Sequence, residues 1–259
     1  MDRGIERAAR LWAGARLAIA VTGAGISVAS GVPDFRSPGG LWTRHDPDEV
    51  ASVGALRTNP GKVWEFLLDA ARTMGAARPN PAHLALAALE RAGLLAAVVT
   101  QNIDGLHQAA GSQRVVEFHG SLGRYYCLGC GADHDPVRAR GLTPAELPWR
   151  CASCGGVVRP TIVFFGEGIP EDAREEAFDL AGAADLVLVA GTSGEVAPAN
   201  RIPLMVKNRG GAVVEINLGE SAYGEVSDVR ITARVEEALP LLAQALIPGG
   251  WTAGNPGLA

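Results

Sequence analysis

Short, almost wholly apolar runs recur along the chain, separated by longer stretches of mixed polarity. Residues 17–21 (LAIAV), 94–100 (LLAAVVT), 115–118 (VVEF), 161–165 (TIVFF), 185–190 (DLVLVA) and 212–217 (AVVEIN) are the clearest. Runs this short and this continuously apolar read as strands buried on both faces. Between them lie segments with helical spacing. In 60–74, Val63, Phe66, Leu67, Ala70 and Met74 share a face behind Pro60, and in 82–92 the stripe is Leu84, Ala88 and Leu89, stopped by Gly93. Residues 5–14, 171–183, 197–208 and 236–246 are the other helical segments. Strands alternating with helices predict an α/β protein built on a parallel sheet. Residues 33–60 read as loop, and the Gly/Pro-rich end from 248 as a frayed tail.

The pattern breaks between residues 120 and 159, which hold many glycines and prolines and all four cysteines, as an inserted module would. Cys127-Leu128-Gly129-Cys130 and Cys151-Ala152-Ser153-Cys154 are two C-x-x-C knuckles. Each pair clasps one face of an ion from a tight turn, and two pairs complete the tetrahedral S4 shell that suits Zn²⁺. Four thiolates leave no open coordination position, so the metal is structural. His134 then has no place in the shell and reads as a surface residue.

Composition narrows the classes. At 47% hydrophobic and 20% charged residues with a net charge of −5, the chain is an ordinary globular one without the basic footprint of a nucleic-acid or anionic-lipid binder. No apolar run approaches the roughly 18 residues that span a bilayer, and the N-terminal residues are too charged for a signal peptide. A soluble, cytoplasmic, reducing setting is the expectation, which favours metal-bound thiolates over disulfides.

Candidate chemistry collects just after the predicted strands. The first strand opens into Gly23-Ala24-Gly25-Ile26-Ser27, a glycine turn that fits either a phosphate cradle at a helix start or a plain βα connection. The third glycine of the dinucleotide fingerprint is replaced by Val28, and no acidic strand end follows, so hydride transfer is disfavoured. Gln101-Asn102-Ile103-Asp104 follows the second strand; Asn and Asp two apart either reach one polar ligand or cap the next helix. His119 follows the third strand, where an imidazole either serves as a base near neutral pH or is a structural histidine. His83 and His107 fall on helices and receive no chemical role. Gly191-Thr192-Ser193-Gly194 and Asn217-Leu218-Gly219 are further polar turns at strand ends. Four such turns on one crevice suit a dinucleotide.

In their order, GAGIS (23–27), SGVPDFRS (30–37), GLW (40–42), QNID (101–104), the His119-Gly120 pair, the two C-x-x-C pairs, RPTIVFFGE (159–167), GTS (191–193) and INLG (216–219) resemble the sirtuins, NAD-dependent protein lysine deacylases, over essentially the whole chain. The resemblance implies a Rossmann-like domain (1–37, 92–119 and 160–247), a cofactor-loop and helical module (38–91), a zinc module (120–159) and a flexible tail (248–259). In similar enzymes Ala24, Asp34, Phe35 and Arg36 belong to the cofactor loop, flanked here by Gly23, Gly25, Ser27 and Trp42. Gln101, Asn102, Ile103 and Asp104 line the ribose and nicotinamide pocket. Gly191, Thr192, Ser193, Asn217, Leu218, Gly219 and Ala233 hold the rest of NAD.

The resemblance also implies an acyl-lysine tunnel walled by Phe35, Val163 and Phe165. The peptide would pair as a strand between Gly166-Glu167 and Gly194-Glu195-Val196. With His119 as base and Asn102 beside it, the acyl oxygen attacks C1′ as nicotinamide leaves. A ribose hydroxyl deprotonated by His119 then takes up the acyl carbon, giving free lysine and O-acyl-ADP-ribose. Relatives that remove acidic acyl groups carry a Tyr and, three residues later, an Arg; Leu67 and Ala70 stand at those places here, which favours acetyl or longer apolar acyl groups. Acetylated proteins or peptides are the expected partners, with neither nucleic acid nor membrane, and the chain is expected to act as a monomer. ADP-ribosyl transfer onto protein is the enzymatic alternative, and a silent NAD-binding module the non-enzymatic one.

Overall fold

Five of the apolar runs become strands of one sheet. The computed structural model describes residues 3–35 and 39–251. Its strands are β1 (Ala18–Thr22), β2 (Ala97–Thr100), β3 (Val115–Glu117), β4 (Tyr125–Cys127), β5 (Asp133–His134), β6 (Val158–Pro160), β7 (Leu186–Ala190), β8 (Ala212–Asn217) and β9 (Val229–Thr232). The large sheet has the order β3-β2-β1-β7-β8-β9, with every neighbouring pair parallel. The helices are α1 (Arg3–Ala13), α2 (Pro47–Val50), α3 (Val53–Thr58), α4 (Pro60–Ala76), α5 (Pro81–Arg91), α6 (Leu106–Ala109), α7 (Pro136–Arg140), α8 (Glu171–Ala183), α9 (Arg201–Asn208) and α10 (Val235–Leu246).

The period-2 alternation of side chains divides the large sheet's core in two. Ala18, Ala20, Leu186, Leu188 and Val214 face α1, α5 and α10, while Ile19, Val21, Val187, Val189 and Val213 face α8 and α9. Both faces are covered, which is why these strands are apolar throughout. A second, antiparallel sheet, β5-β4-β6, carries the cysteines and shares a third core with α3, α4 and α7 around Trp64, Tyr125, Trp149 and Phe164.

The structure departs from the sequence reading in five places. Residues 161–165 are no sheet strand: Ile162 and Phe164 turn into the third core and only Phe165 makes a lone bridge, to Ser52. Helix α5, placed by sequence in the helical module, packs on the large sheet, because Ala82, Ala85, Leu86 and Leu89 fill the core beside α10. Inside the predicted 33–60 loop, α2 and α3 form, capped by the side chains of Asp46 and Ser52. Strand β9 is not among the predicted strands, since VRIT buries only alternate residues at the sheet edge. His134 is half-buried, edge-on to Trp149 at 5.3 Å. Among the described residues no helix is long and apolar enough to cross a membrane.

Candidate active site and metal centre

Because the large sheet is parallel, all its carboxyl ends share one edge. Strand β1 has β2 on one side and β7 on the other, so the strand order reverses there, and a crevice opens at such a switch point. A cavity of about 1010 Å³ lies along this edge. Turns after β1 (Gly23, Ala24, Gly25), β2 (Gln101, Asn102, Ile103), β7 (Gly191, Thr192, Ser193) and β8 (Asn217, Leu218, Gly219) line it, with His119 beyond β3 and Ala233 beyond β9. Asp34, Phe35, Trp42, Val163, Phe165, Gly166, Glu167, Glu195 and Val196 line the remainder. Ser27, Asp104 and Gly194 do not reach the cavity, and Arg36 lies outside the described residues.

The glycine turn is a short 3-10 helix, Ala24–Ser30, rather than the start of an α-helix. Gly25 and Gly191 cross so closely that a Cβ on Gly25 would sit 2.8 Å from the Gly191 Cα, and Gly191 has φ +64°. Only glycine allows this crossing. It leaves bare backbone facing the cavity, which is what a pyrophosphate needs. Side chains then tie the turns together: Gln101 Nε2 donates to Thr192 Oγ1 and Asn217 Nδ2 to the Thr192 carbonyl, each at 3.0 Å.

The two sequence readings of QNID divide between its residues. Asn102 faces the cavity, its Nδ2 fixed by the Gly23 carbonyl at 3.0 Å and Ser27 Oγ at 3.1 Å. Asp104 stands behind it: Oδ1 accepts the Leu106 N–H, capping α6, and Oδ2 accepts the Ser27 hydroxyl at 2.7 Å. Burial pushes the Asp104 carboxyl up, against the bonds from Leu106 and Ser27. Ser27 and Asp104 therefore orient Asn102 from below.

His119 Nδ1 lies 3.2 Å from the Gln101 carbonyl. A carbonyl only accepts, so Nδ1 carries the proton and Nε2 is left as the basic nitrogen. Burial lowers the imidazole pKa, opposed by the Gln101 bond, so the ring is neutral and ready to take a proton at neutral pH. Gly120 follows with φ +73°; a Cβ there would meet the Thr161 carbonyl oxygen at 2.0 Å. Aromatic rings close the far wall: Trp42 stacks on Phe35 at 5.2 Å and contacts Phe66 and Phe165 at 6.0 Å each. Phe66, Leu67, Ala70 and Met74, all from α4, extend this wall.

His83 and His107 form a buried pair under the site, rings 4.9 Å apart. His107 Nε2 meets Thr22 Oγ1 at 2.9 Å and His83 Nε2 meets Ser27 Oγ at 3.5 Å. Burial lowers His83 to about 4, and burial with the neighbouring His83 drives His107 well below its ordinary value. The unfolded chain then binds protons before the folded one, so stability falls as pH drops from about 6.5 toward 4, by about 3 kcal/mol for His83 alone. Thermal unfolding across that window checks this: Tm falls steeply with acid, and His83→Gln flattens the fall. A flat wild-type profile would refute it.

Beyond the predicted set, the cavity gains Leu41, Leu122, Ile162, and Arg234, Val235 and Glu236 at the start of α10. The last three follow β9, so recognising the alternation in VRIT as an edge strand would have pointed to them.

The four cysteines converge. All four Sγ atoms lie within 4.8 Å of one another, with Cys127–Cys154 at 3.4 Å and Cys130–Cys151 at 3.8 Å. A tetrahedral zinc with Zn–S about 2.3 Å requires S···S of about 3.8 Å, so the set fits the ion. Backbone N–H groups of Ser153 and Cys154 pull the Cys151 thiol down to about 6, toward the thiolate that binds metal.

A glycine cradle at the switch point of a parallel sheet, with a four-thiolate knot beside it, defines a nucleotide-binding α/β protein with a structural metal. The chain belongs to the Sir2 family, whose model matches residues 23–198. It is 47% identical over 243 residues to the NAD-dependent protein deacylase of Thermococcus kodakarensis, covering 92% of this chain and 94% of that protein. It is 45% identical over 242 residues to NAD-dependent protein deacetylase 1 of Pyrobaculum aerophilum, covering 93% and 94%. Among solved structures, a Sir2 homologue complexed with NAD matches with TM-score 0.87 at 38% identity, covering 95% of this chain and 94% of that one. A Sir2 with a p53 peptide and NAD+ matches with TM-score 0.82 at 36% identity, covering 92% and 96%.

Proposed function

We propose that this protein is an NAD-dependent protein lysine deacylase that prefers acetyl and apolar acyl groups. The observation that carries it is the pairing of His119 and Asn102 on one cavity with the Gly23–Gly25 cradle, His119 held in one tautomer by the Gln101 carbonyl. NAD, when bound, supplies a ribose whose bond to nicotinamide is the one exchanged for the acyl oxygen. The chain's part is positioning and proton transfer. Bare backbone at Gly23–Gly25 and Gly191 receives the phosphates, and Gln101, Asn102 and Asn217 offer polar groups to the sugars. His119 Nε2 would take a ribose hydroxyl proton, and the rings of Phe35 and Trp42 would exclude water from that end of the cavity. Val163 and Phe165 flank the lysine stem, and the peptide backbone adds as a strand at Gly166-Glu167. A reducing cytoplasmic setting suits the four thiolates.

Mass spectrometry of an acetyl-lysine peptide with and without NAD tests this. Acetyl loss that requires NAD, together with O-acetyl-ADP-ribose, is the expected result; ADP-ribose attached to protein instead would overturn it.

Acyl preference rests on α4, whose cavity-facing residues Phe66, Leu67, Ala70 and Met74 include no cation. A succinyl carboxylate would be desolvated there without a partner. Succinyl-lysine should be processed at least about tenfold less efficiently than acetyl-lysine, and Ala70→Arg should narrow that gap about tenfold by supplying a charge-assisted bond. Equal wild-type kcat/KM for the two peptides would refute the preference.

A further inference from the structure

The segment leaving β6 carries Val163, Phe165 and Gly166 to the cavity, and one buried cation holds it in shape. Arg159, in the middle of β6, has a side chain only 3% exposed. Its Nε donates to the Pro160 carbonyl at 3.0 Å and Nη2 to the Ile162 carbonyl. Nη1 and Nη2 then grip the two oxygens of Glu167 at 2.5 and 2.9 Å. The guanidinium carbon stands 4.4 Å from the Phe164 ring centroid and 5.6 Å from that of Tyr126. Glu167 Oε2 also accepts the Phe164 N–H at 2.9 Å. One residue of the zinc-bearing sheet is thus bound to the beginning, middle and end of the 160–167 segment.

Single backbone bonds hold the same segment elsewhere. The Val163 N–H donates to the His119 carbonyl and the Phe165 N–H to the Ala51 carbonyl, each at 2.9 Å, and the Phe165 carbonyl accepts the Val53 N–H at 3.0 Å. Between the Phe165 ties and Glu167 lies Gly166 at φ +88°, beside the 47% exposed Phe165 ring. A buried ion pair adds little stability over apolar residues of equal volume, so stability alone is a poor reason for this one. Its reach, across the cavity-facing turn, offers a better reason. The Glu167 side chain is fully engaged by Arg159 and Phe164, which leaves the turn's backbone to face substrate.

We propose that Arg159 and Glu167 are positioning residues for the acylated peptide, their bidentate pair holding the Gly166–Glu167 backbone as a preformed edge on which the substrate strand docks. This rests on the reading of Gly166-Glu167 as one side of the peptide groove. Without the pair, Gly166 and Glu167 lose the side-chain tie that fixes the end of the segment, and the order that peptide must then restore counts against its binding. The peptide meets the cost; NAD, held by the large sheet's turns, does not.

The test is the double variant Arg159→Met/Glu167→Met, which removes both charges together and keeps side-chain bulk. Peptide KM should rise about tenfold while KM for NAD changes by less than about twofold, with zinc content still one per chain. A folded, zinc-loaded double variant with wild-type peptide KM would overturn the proposal, as would an equal rise in both KM values. Should the double variant not fold, Arg159→Lys serves: its ammonium keeps the charge but not the fork, and peptide KM should rise severalfold while KM for NAD holds. Hydrogen exchange on the wild-type protein separates the two layers of the inference. Peptide-dependent protection at the Gly166 amide supports the groove, and its absence sinks the groove reading itself. Protection in the wild type alongside an unchanged peptide KM in the folded variant sinks only the positioning role.

Discussion

His119→Ala should lower kcat for deacetylation by about 10²- to 10⁴-fold, the usual loss on removing a general base. The cradle glycines, Asn102 and the aromatic wall do not depend on the imidazole, so KM for NAD should change little. His119→Gln should fail as well, since an amide offers no base at that place. The wild-type kcat/KM should carry an acid limb below the ordinary histidine range, because burial lowers His119 and protonation removes its lone pair. Steady-state kinetics on an acetyl-lysine peptide across pH, with both variants, checks all three statements. A His119→Ala enzyme within tenfold of wild type would place the base elsewhere on the cavity.

Removing the metal should have the second large effect. Cys127 and Cys151 are buried members of the core that includes Trp64, Tyr125 and Trp149, and Cys127 pairs in register with Val158 of β6. Structural zinc contributes about 10–16 kcal/mol in small zinc-folded modules, comparable to or larger than the whole stability of a typical domain. Chelation, or Cys127→Ser, should therefore release one zinc per chain and abolish activity. Hydrogen exchange should rise across residues 120–160, while β1, β7 and β8 stay protected by the two cores on either side of the large sheet. Zinc return should restore protection and turnover together. Full activity in metal-free protein would remove the metal from the folding account.

How much was legible beforehand follows from what each signal measures. Apolar runs report burial on both faces, so β1, β2, β7 and β8 were plain, whereas β9 at the sheet edge buries only every second residue and was missed. The same signal misled at residues 161–165, where Ile162 and Phe164 are apolar because they enter the core of the small sheet, not because they pair. Helix α5 was legible as a helix, but of the predicted stripe Leu84, Ala88 and Leu89 only Leu89 enters the core beside Ala82, Ala85 and Leu86, because the partner α10 selects the face. The cysteine knuckles were readable because four thiols at that spacing have one economical geometry.

The sequence by itself determined the strands buried on both faces, most of the longer helices, the metal ligands, the glycine turns and the order of motifs that marks the family, since each is written in short local patterns of the chain. Tertiary structure decided what distance in space decides. It put Asn102 on the cavity and Asp104 behind it, set the His119 tautomer through the Gln101 carbonyl, buried His83 against His107, and paired Glu167 with Arg159. Those arrangements depend on which strands become neighbours, and the six strand ends meet on one edge only after segments about two hundred residues apart have packed into the parallel sheet.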